Sequence, residues 1–220
     1  MSCWNPLTDC RPCPVEIPVD AAMSKVFEVI EESPVYRGFF NLSQFRLRHT
    51  LFGGGWSRPL VRELFHRGRC VAVIPYDPAT DRVVLIEQFR IGALSDKAVP
   101  WLVEIVAGAI EPGESPEAVA RRESMEEAGC LLGELIQIGE FYTTPGGCSE
   151  KVSVFCGLVE GDVKDGVYGL VEEDEDIRVL VISLDEALAW LDRGIIDSAI
   201  PALALQWLAL NRESLRTGQA

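Results

Sequence analysis

The chain has 220 residues, 48% hydrophobic and 25% charged, the proportions of an ordinary globular protein with one substantial domain. A formal net charge of −14 argues against a nucleic-acid partner, which would call for Lys and Arg clusters. It also requires any phosphate chemistry to be mediated by a divalent cation, because bare carboxylates repel phosphates.

In chain order, residues 1–22 are rich in Pro and Cys and are expected to be irregular, with no leader peptide read at the start. Seven scattered cysteines (Cys3, Cys10, Cys13, Cys70, Cys130, Cys148 and Cys156) are expected as reduced thiols in the cytoplasm. Cys10-Arg-Pro-Cys13 has the spacing of half a zinc site or a redox pair. No second pair follows it and no strand precedes it, so a plain Pro-rich segment is the preferred reading. No apolar stretch approaches the roughly 18 residues needed to span a bilayer, so no membrane is expected.

A small β lobe is expected over 23–67. Phe39 to His49 alternates well enough for a strand, Arg58 to Phe65 could pair with it, and Gly53-Gly-Gly55 supplies the turn between them. His49 and His66 fall in these segments and read as ordinary hydrogen-bonding residues. The main domain is expected over 68–212, with 213–220 as a tail. Its strand signals are Cys70–Pro75, Val83–Phe89, Trp101–Ala107, Ile136–Tyr142, Val152–Val159 and Ile177–Ser183. Its helices are Ser115–Ala128, Leu184–Asp192 and roughly Ser198–Arg212. For the first of these, Ser115 suits the N-cap, Pro116 the first helical position and Gly129 the C′ position. Many strands and few helices predict an α/β (α+β) chain, a mixed sheet with helices on both faces.

Within the first helix Glu123, Glu126 and Glu127 stand at i, i+3 and i+4, on one face. Like charges so placed destabilise a helix by roughly 0.2–0.5 kcal/mol per pair, unless something positive lies against them. A lone cluster of this kind is usually a solvated acidic face. Oxygen donors on a rigid face otherwise suit Mg²⁺, with Mn²⁺ also possible, and not Zn²⁺.

Reading outward gives Gly108, five residues, Glu114, seven residues, Arg122-Glu123, two residues, Glu126-Glu127, one residue, Gly129. This resembles the Nudix box, and all seven fixed residues stand at the right spacing. Ser124 departs from it, where a bulky apolar residue is usual, and Cys130 is small at a second such position. The resemblance implies a Nudix-type α-β-α sandwich with a mixed sheet, and a divalent-cation-dependent hydrolase that cuts a diphosphate. It implies Glu123, Glu127 and the Ala107 carbonyl as metal ligands, Glu126 as a further one, and Arg122 paired with Glu114 as a brace.

Pro145, about sixteen residues past the box glycine, lies in Thr144-Pro-Gly-Gly-Cys-Ser-Glu150 and is similar to the bacterial ADP-ribose pyrophosphatase branch. Similar flanking pieces are Tyr36–Phe40, Val61–Phe65, Leu85–Arg90 and Glu173–Arg178. That branch implies Phe39 and Phe40 packing on adenine across a homodimer interface, and Arg62, Glu63 and Arg67 at the nucleotide end. It implies Arg90 facing the diphosphate, with Thr144 and Glu150 holding the terminal ribose. Ala109, where a larger residue is common, lines the same substrate site, and Thr144 replaces a frequent Ser. In the acidic run Glu172–Asp176 it implies Glu173 as the general base and Glu175 as another metal ligand; the bland alternative is a solvated acidic turn. The expected substrate is ADP-ribose, split to AMP and ribose 5-phosphate. GDP-mannose or another nucleoside diphosphate sugar is the alternative, and a non-catalytic ADP-ribose sensor a remoter one.

Overall fold

The computed structural model describes residues 25–95, 99–171 and 174–218. Cys3, Cys10, Cys13 and Glu173 lie outside them.

Three strands, β1 (Phe27–Arg37), β2 (Asn41–His49) and β3 (Leu60–His66), form an antiparallel sheet in the order β1-β2-β3. The expected strand pair is present as β2 and β3. β1 is additional, and its sequence Phe27-Glu-Val-Ile-Glu-Glu-Ser-Pro-Val-Tyr-Arg37 hides it, because acidic residues and Pro34 interrupt the alternation. Register shifts after Val29 and Pro34 are how the pairing with β2 accommodates those interruptions.

The larger sheet has eight strands: β4 (Arg69–Asp77), β5 (Arg82–Phe89), β6 (Trp101–Glu104), β7 (Val106–Ala109), β8 (Leu131–Tyr142), β9 (Lys151–Glu160), β10 (Gly166–Tyr168) and β11 (Ile177–Ser183). The order is β10-β11-β5-β4-β9-β8, with β6 on β5 and β7 on β4. β4 and β9 run parallel while the other pairings are antiparallel, so the sheet is mixed. The apolar run expected as one strand over Trp101–Ala107 breaks at Ile105, which is buried at the crossing from β5 to β4.

Alternation along β4 explains the two cores. Ala72, Ile74 and Tyr76 pack under α2 (Leu184–Asp192) and α3 (Ala199–Thr217), with Leu184, Ala187, Leu205 and Leu208. Val71 and Val73 face α1 (Pro116–Ala128), with Val119, Ala120 and Ala128. Helices thus cover both faces, as expected from sequence. α3 runs to Thr217, beyond the expected end near Arg212, because buried Leu215 pins its last turn and Gly218 closes it in the left-handed conformation. No helix among the described residues is long and apolar enough to cross a membrane.

Backbone bonds at the seam between the sheets fix the site loops. Phe65 N–H donates to the Gly147 carbonyl at 2.8 Å, and Ser149 N–H donates to the Phe65 carbonyl at 3.0 Å. The Thr144–Glu150 loop is thereby held against the end of β3.

Candidate active site

α1 starts and stops where its sequence directs. The Ser115 hydroxyl accepts from Ala118 N–H at 3.2 Å, Pro116 opens the helix, and Gly129 caps it at φ +57°. Glu127 is only 3% exposed, and its Oε2 accepts from Ala107 N–H at 3.0 Å, tying the helix to β7. Glu123 crosses over Gly108 so closely that a methyl group there would overlap its carboxylate and displace it.

Burial, first, and the like charges of Glu123 and Glu175 push the Glu127 carboxyl up to about 8, against the Ala107 N–H and Arg90 that favour its anion. Burial also raises Glu123, opposed by Arg122. Two desolvated carboxylates that resist ionisation, with Glu175 near both, form an oxygen donor set short of positive charge. That donor chemistry fits a hard divalent cation. As placed, no group of three or more His, Cys, Asp or Glu among the described residues converges closely enough to hold one. On the same face Arg122 Nη1 lies 2.9 Å from both Glu123 Oε1 and Glu126 Oε2. Its Nε lies 3.2 Å from Glu114 Oε1, so the expected brace to the loop is made, and the same guanidinium offsets part of the charge on the helix face.

Arg90 projects from the end of β5, where its Nε donates to Glu104 Oε2 at 2.6 Å. Its charge is felt by Glu127. Glu104 is a residue that sequence reasoning missed: fourteen positions separate it from Arg90, and only the pairing of β6 with β5 brings the two together.

A second cluster brings together some of the residues expected at the substrate. Arg67 Nε donates to Glu150 Oε1 at 2.8 Å, and the same guanidinium lies 4.8 Å from the Phe40 ring centroid. Burial alone would raise the Glu150 carboxyl, but the hydrogen bond and charge of Arg67 hold it below its ordinary range. Phe40 also meets Phe65 edge-on at 5.0 Å, while Phe39, 93% exposed, touches Phe40 at 4.7 Å. Thr144 turns the loop, its carbonyl accepting from Gly147 and Cys148 N–H. Ala109 pairs with Cys70, whose thiol lies 3.7 Å from Glu150 Oε1. Arg62 and Glu63 are consecutive in β3 and so face opposite sides of the small sheet. Among the described residues Arg62 donates to the neighbouring Val61 carbonyl, at 2.8 Å, and not to the Arg67 cluster. His49 and His66 have ordinary duties: His49 Nδ1 lies 2.9 Å from the Thr50 carbonyl, and His66 Nε2 lies 3.0 Å from Ser43 Oγ.

Residues 66–203 match the NUDIX domain family model, and the carboxylate helix lies within that match. The chain belongs to the NUDIX family. Among curated proteins this NUDIX chain is 45% identical over 203 residues to the ADP-ribose pyrophosphatase of Escherichia coli strain K12, covering 92% of the chain and 97% of that protein. It is 43% identical to the ADP-ribose pyrophosphatase of Haemophilus influenzae, over 86% of the chain and 88% of that protein. It is 32% identical to the GDP-mannose pyrophosphatase of Citrobacter koseri, over 84% and 96%. Among solved structures, an ADP compounds hydrolase superposes with a TM-score of 0.65 at 19% identity, covering 88% of the chain and 97% of its own, which places the fold alone. NUDIX hydrolases generally use a divalent metal, in keeping with the donor set described for α1.

Proposed function

We propose that this NUDIX hydrolase splits the diphosphate of ADP-ribose with water, giving AMP and ribose 5-phosphate. The observation that carries the reading is the desolvated carboxylate pair Glu123 and Glu127, seated over Gly108 and against Ala107. The ADP-ribose pyrophosphatases it matches over most of their length support the substrate.

Mg²⁺, or Mn²⁺, is the cofactor proposed, held by Glu123, Glu127, Glu175 and the Ala107 carbonyl, with Glu126 as a further ligand. The chemistry supplied by a bound divalent cation is neutralisation of the diphosphate and acidification of water. Arg122, shared by Glu114, Glu123 and Glu126, offsets part of the charge on the helix face and braces the preceding loop. Arg90, oriented by Glu104, offers a planar donor pair to a diphosphate oxygen. Phe39 and Phe40 offer aromatic faces to the base, with Arg62, Glu63 and Arg67 at the same end. Ala109, Thr144 and Glu150 line the side of the terminal ribose. Glu173 takes the proton of the attacking water, a role open to a carboxylate that is not itself a metal ligand.

Incubating the purified chain with ADP-ribose and Mg²⁺ tests this by chromatography of AMP. Glu173→Gln is expected to retain Mg²⁺ and substrate binding while kcat falls by about 10²–10⁴-fold. Absence of AMP would overturn the function, and an unchanged kcat would overturn the base. A second reading, GDP-mannose or a related nucleotide sugar, draws on the GDP-mannose pyrophosphatase relatives and is decided by a substrate panel.

The working form proposed is a homodimer through the three-stranded sheet, where Phe27, Val29, Ile30, Val35, Tyr36 and Val61 are exposed. The free thiols of Cys70, Cys130, Cys148 and Cys156 suit a cytoplasmic setting.

A further inference from the structure

We propose that Tyr168 and Gly169 are positioning residues, which latch the segment bearing Glu175 to the C-terminal turn of α1; this rests on the metal-dependent reading above. The last carbonyls of a helix lack intrahelical partners. At the end of α1, Gly129 N–H goes to the Met125 carbonyl and Cys130 N–H to that of Ser124. The Glu126 carbonyl, passed over by this capping pattern, is taken by Gly169 N–H at 3.3 Å. The residue whose side chain belongs to the carboxylate face thus gives its backbone to the neighbouring segment.

The adjoining contacts extend that link in both directions. The Tyr168 ring lies on Gly129 so closely that a Cβ there would come within 2.6 Å of Tyr168 Cε1. Gly129 therefore has a duty beyond its left-handed cap: it leaves a seat for this ring. On the other side, Leu170 N–H donates to Glu175 Oε2 at 3.1 Å, and Glu175 N–H donates to the Leu170 carbonyl at 3.2 Å. Gly169, at φ +104°, has its missing Cβ position 2.7 Å from Glu175 Cβ. A continuous run of contacts therefore leads from the box glycine through Tyr168, Gly169 and Leu170 to Glu175. β10, three residues long at the sheet edge, is too short to fix that register by itself. The Tyr168 hydroxyl takes no part, as its bond is to the Lys164 carbonyl at 3.3 Å.

Releasing the ring lets Glu175 drift relative to Glu123 and Glu127, so divalent-cation affinity is what should fall. Calorimetric titration of the nucleotide-free full chain with Mn²⁺ reads this directly, alongside a thermal melt. Tyr168→Ala is expected to weaken Mn²⁺ binding about tenfold or more, whereas Tyr168→Phe keeps wild-type affinity. With ADP-ribose, Tyr168→Ala should lower kcat at a given Mn²⁺ concentration and leave KM little changed. Gly169→Ala should act in the same direction, and Tyr168→Leu replaces the alanine variant if that one does not fold. Equal Mn²⁺ affinity in wild type and folded Tyr168→Ala would overturn the latch alone, as would a Tyr168→Phe as weak as Tyr168→Ala. Wild-type protein that takes up no Mn²⁺ would sink the metal-dependent reading, and the latch with it.

Discussion

Ser124 is fully buried on α1, and its hydroxyl has no hydrogen-bond partner among the described residues. A buried donor left unmade costs about 1–3 kcal/mol, so Ser124→Ala should stabilise the protein by about 1 kcal/mol. Urea denaturation checks this, and a lower midpoint would mean that the hydroxyl is satisfied. At this scale the carboxylate face was legible because helical spacing is arithmetic: i, i+3 and i+4 share a face whatever the rest of the chain does. The Glu114–Arg122 brace was legible through the same box. Glu104 and the double pairing of Arg122 with Glu123 and Glu126 were not. Their partners are chosen by packing and desolvation, which no local pattern records.

Between elements, the turn from β4 to β5 is tied to α3 by a half-buried polar cluster. Tyr76 O–H donates to Asp81 Oδ1 at 2.7 Å, Arg212 Nε donates to the same oxygen at 3.0 Å, and another Arg212 nitrogen reaches Asp81 Oδ2. Arg212 Nη1 also holds Asp185 Oδ1 at 2.8 Å. The hydrogen bonds from Arg212 outweigh burial and hold the Asp81 carboxyl below its ordinary range. A depressed folded-state pKa contributes stability above the unfolded value of about 3.9, which is lost as pH falls through the folded one. Asp81 sits at φ +57°, a conformation that Asn tolerates, so Asp81→Asn removes the charge without backbone strain. It should cost about 1–2 kcal/mol at neutral pH. The gap to wild type should close as pH drops below about 4, read from urea midpoints across pH. A gap that persists undiminished at pH 2 would contradict the assignment. The 131-residue separation of Asp81 and Arg212 explains why sequence patterns gave no sign of this tie. The ends of α1 were legible from Ser115, Pro116 and Gly129. The end of α3 was not, because polar residues after Leu210 masked the buried Leu215.

For the whole molecule, the expected mixed sheet with helices on both faces is present, and its two cores follow from alternation along β4. The three-stranded sheet leaves apolar side chains on its surface, and a second copy is the partner proposed for them. Sedimentation should give twice the 24.3 kDa of one chain, and Phe27→Asp with Val61→Asp should shift it towards monomer. Wild type sedimenting as a monomer at micromolar concentration would refute the dimer.

The sequence by itself determined the carboxylate helix, its caps and the box spacing, because each depends on neighbours within about one helical turn or one loop. Tertiary structure decided which carbonyl meets Gly169, which glutamate orients Arg90 and where Arg212 lands. These contacts join residues far apart in the chain, and strand pairing and burial bring them together.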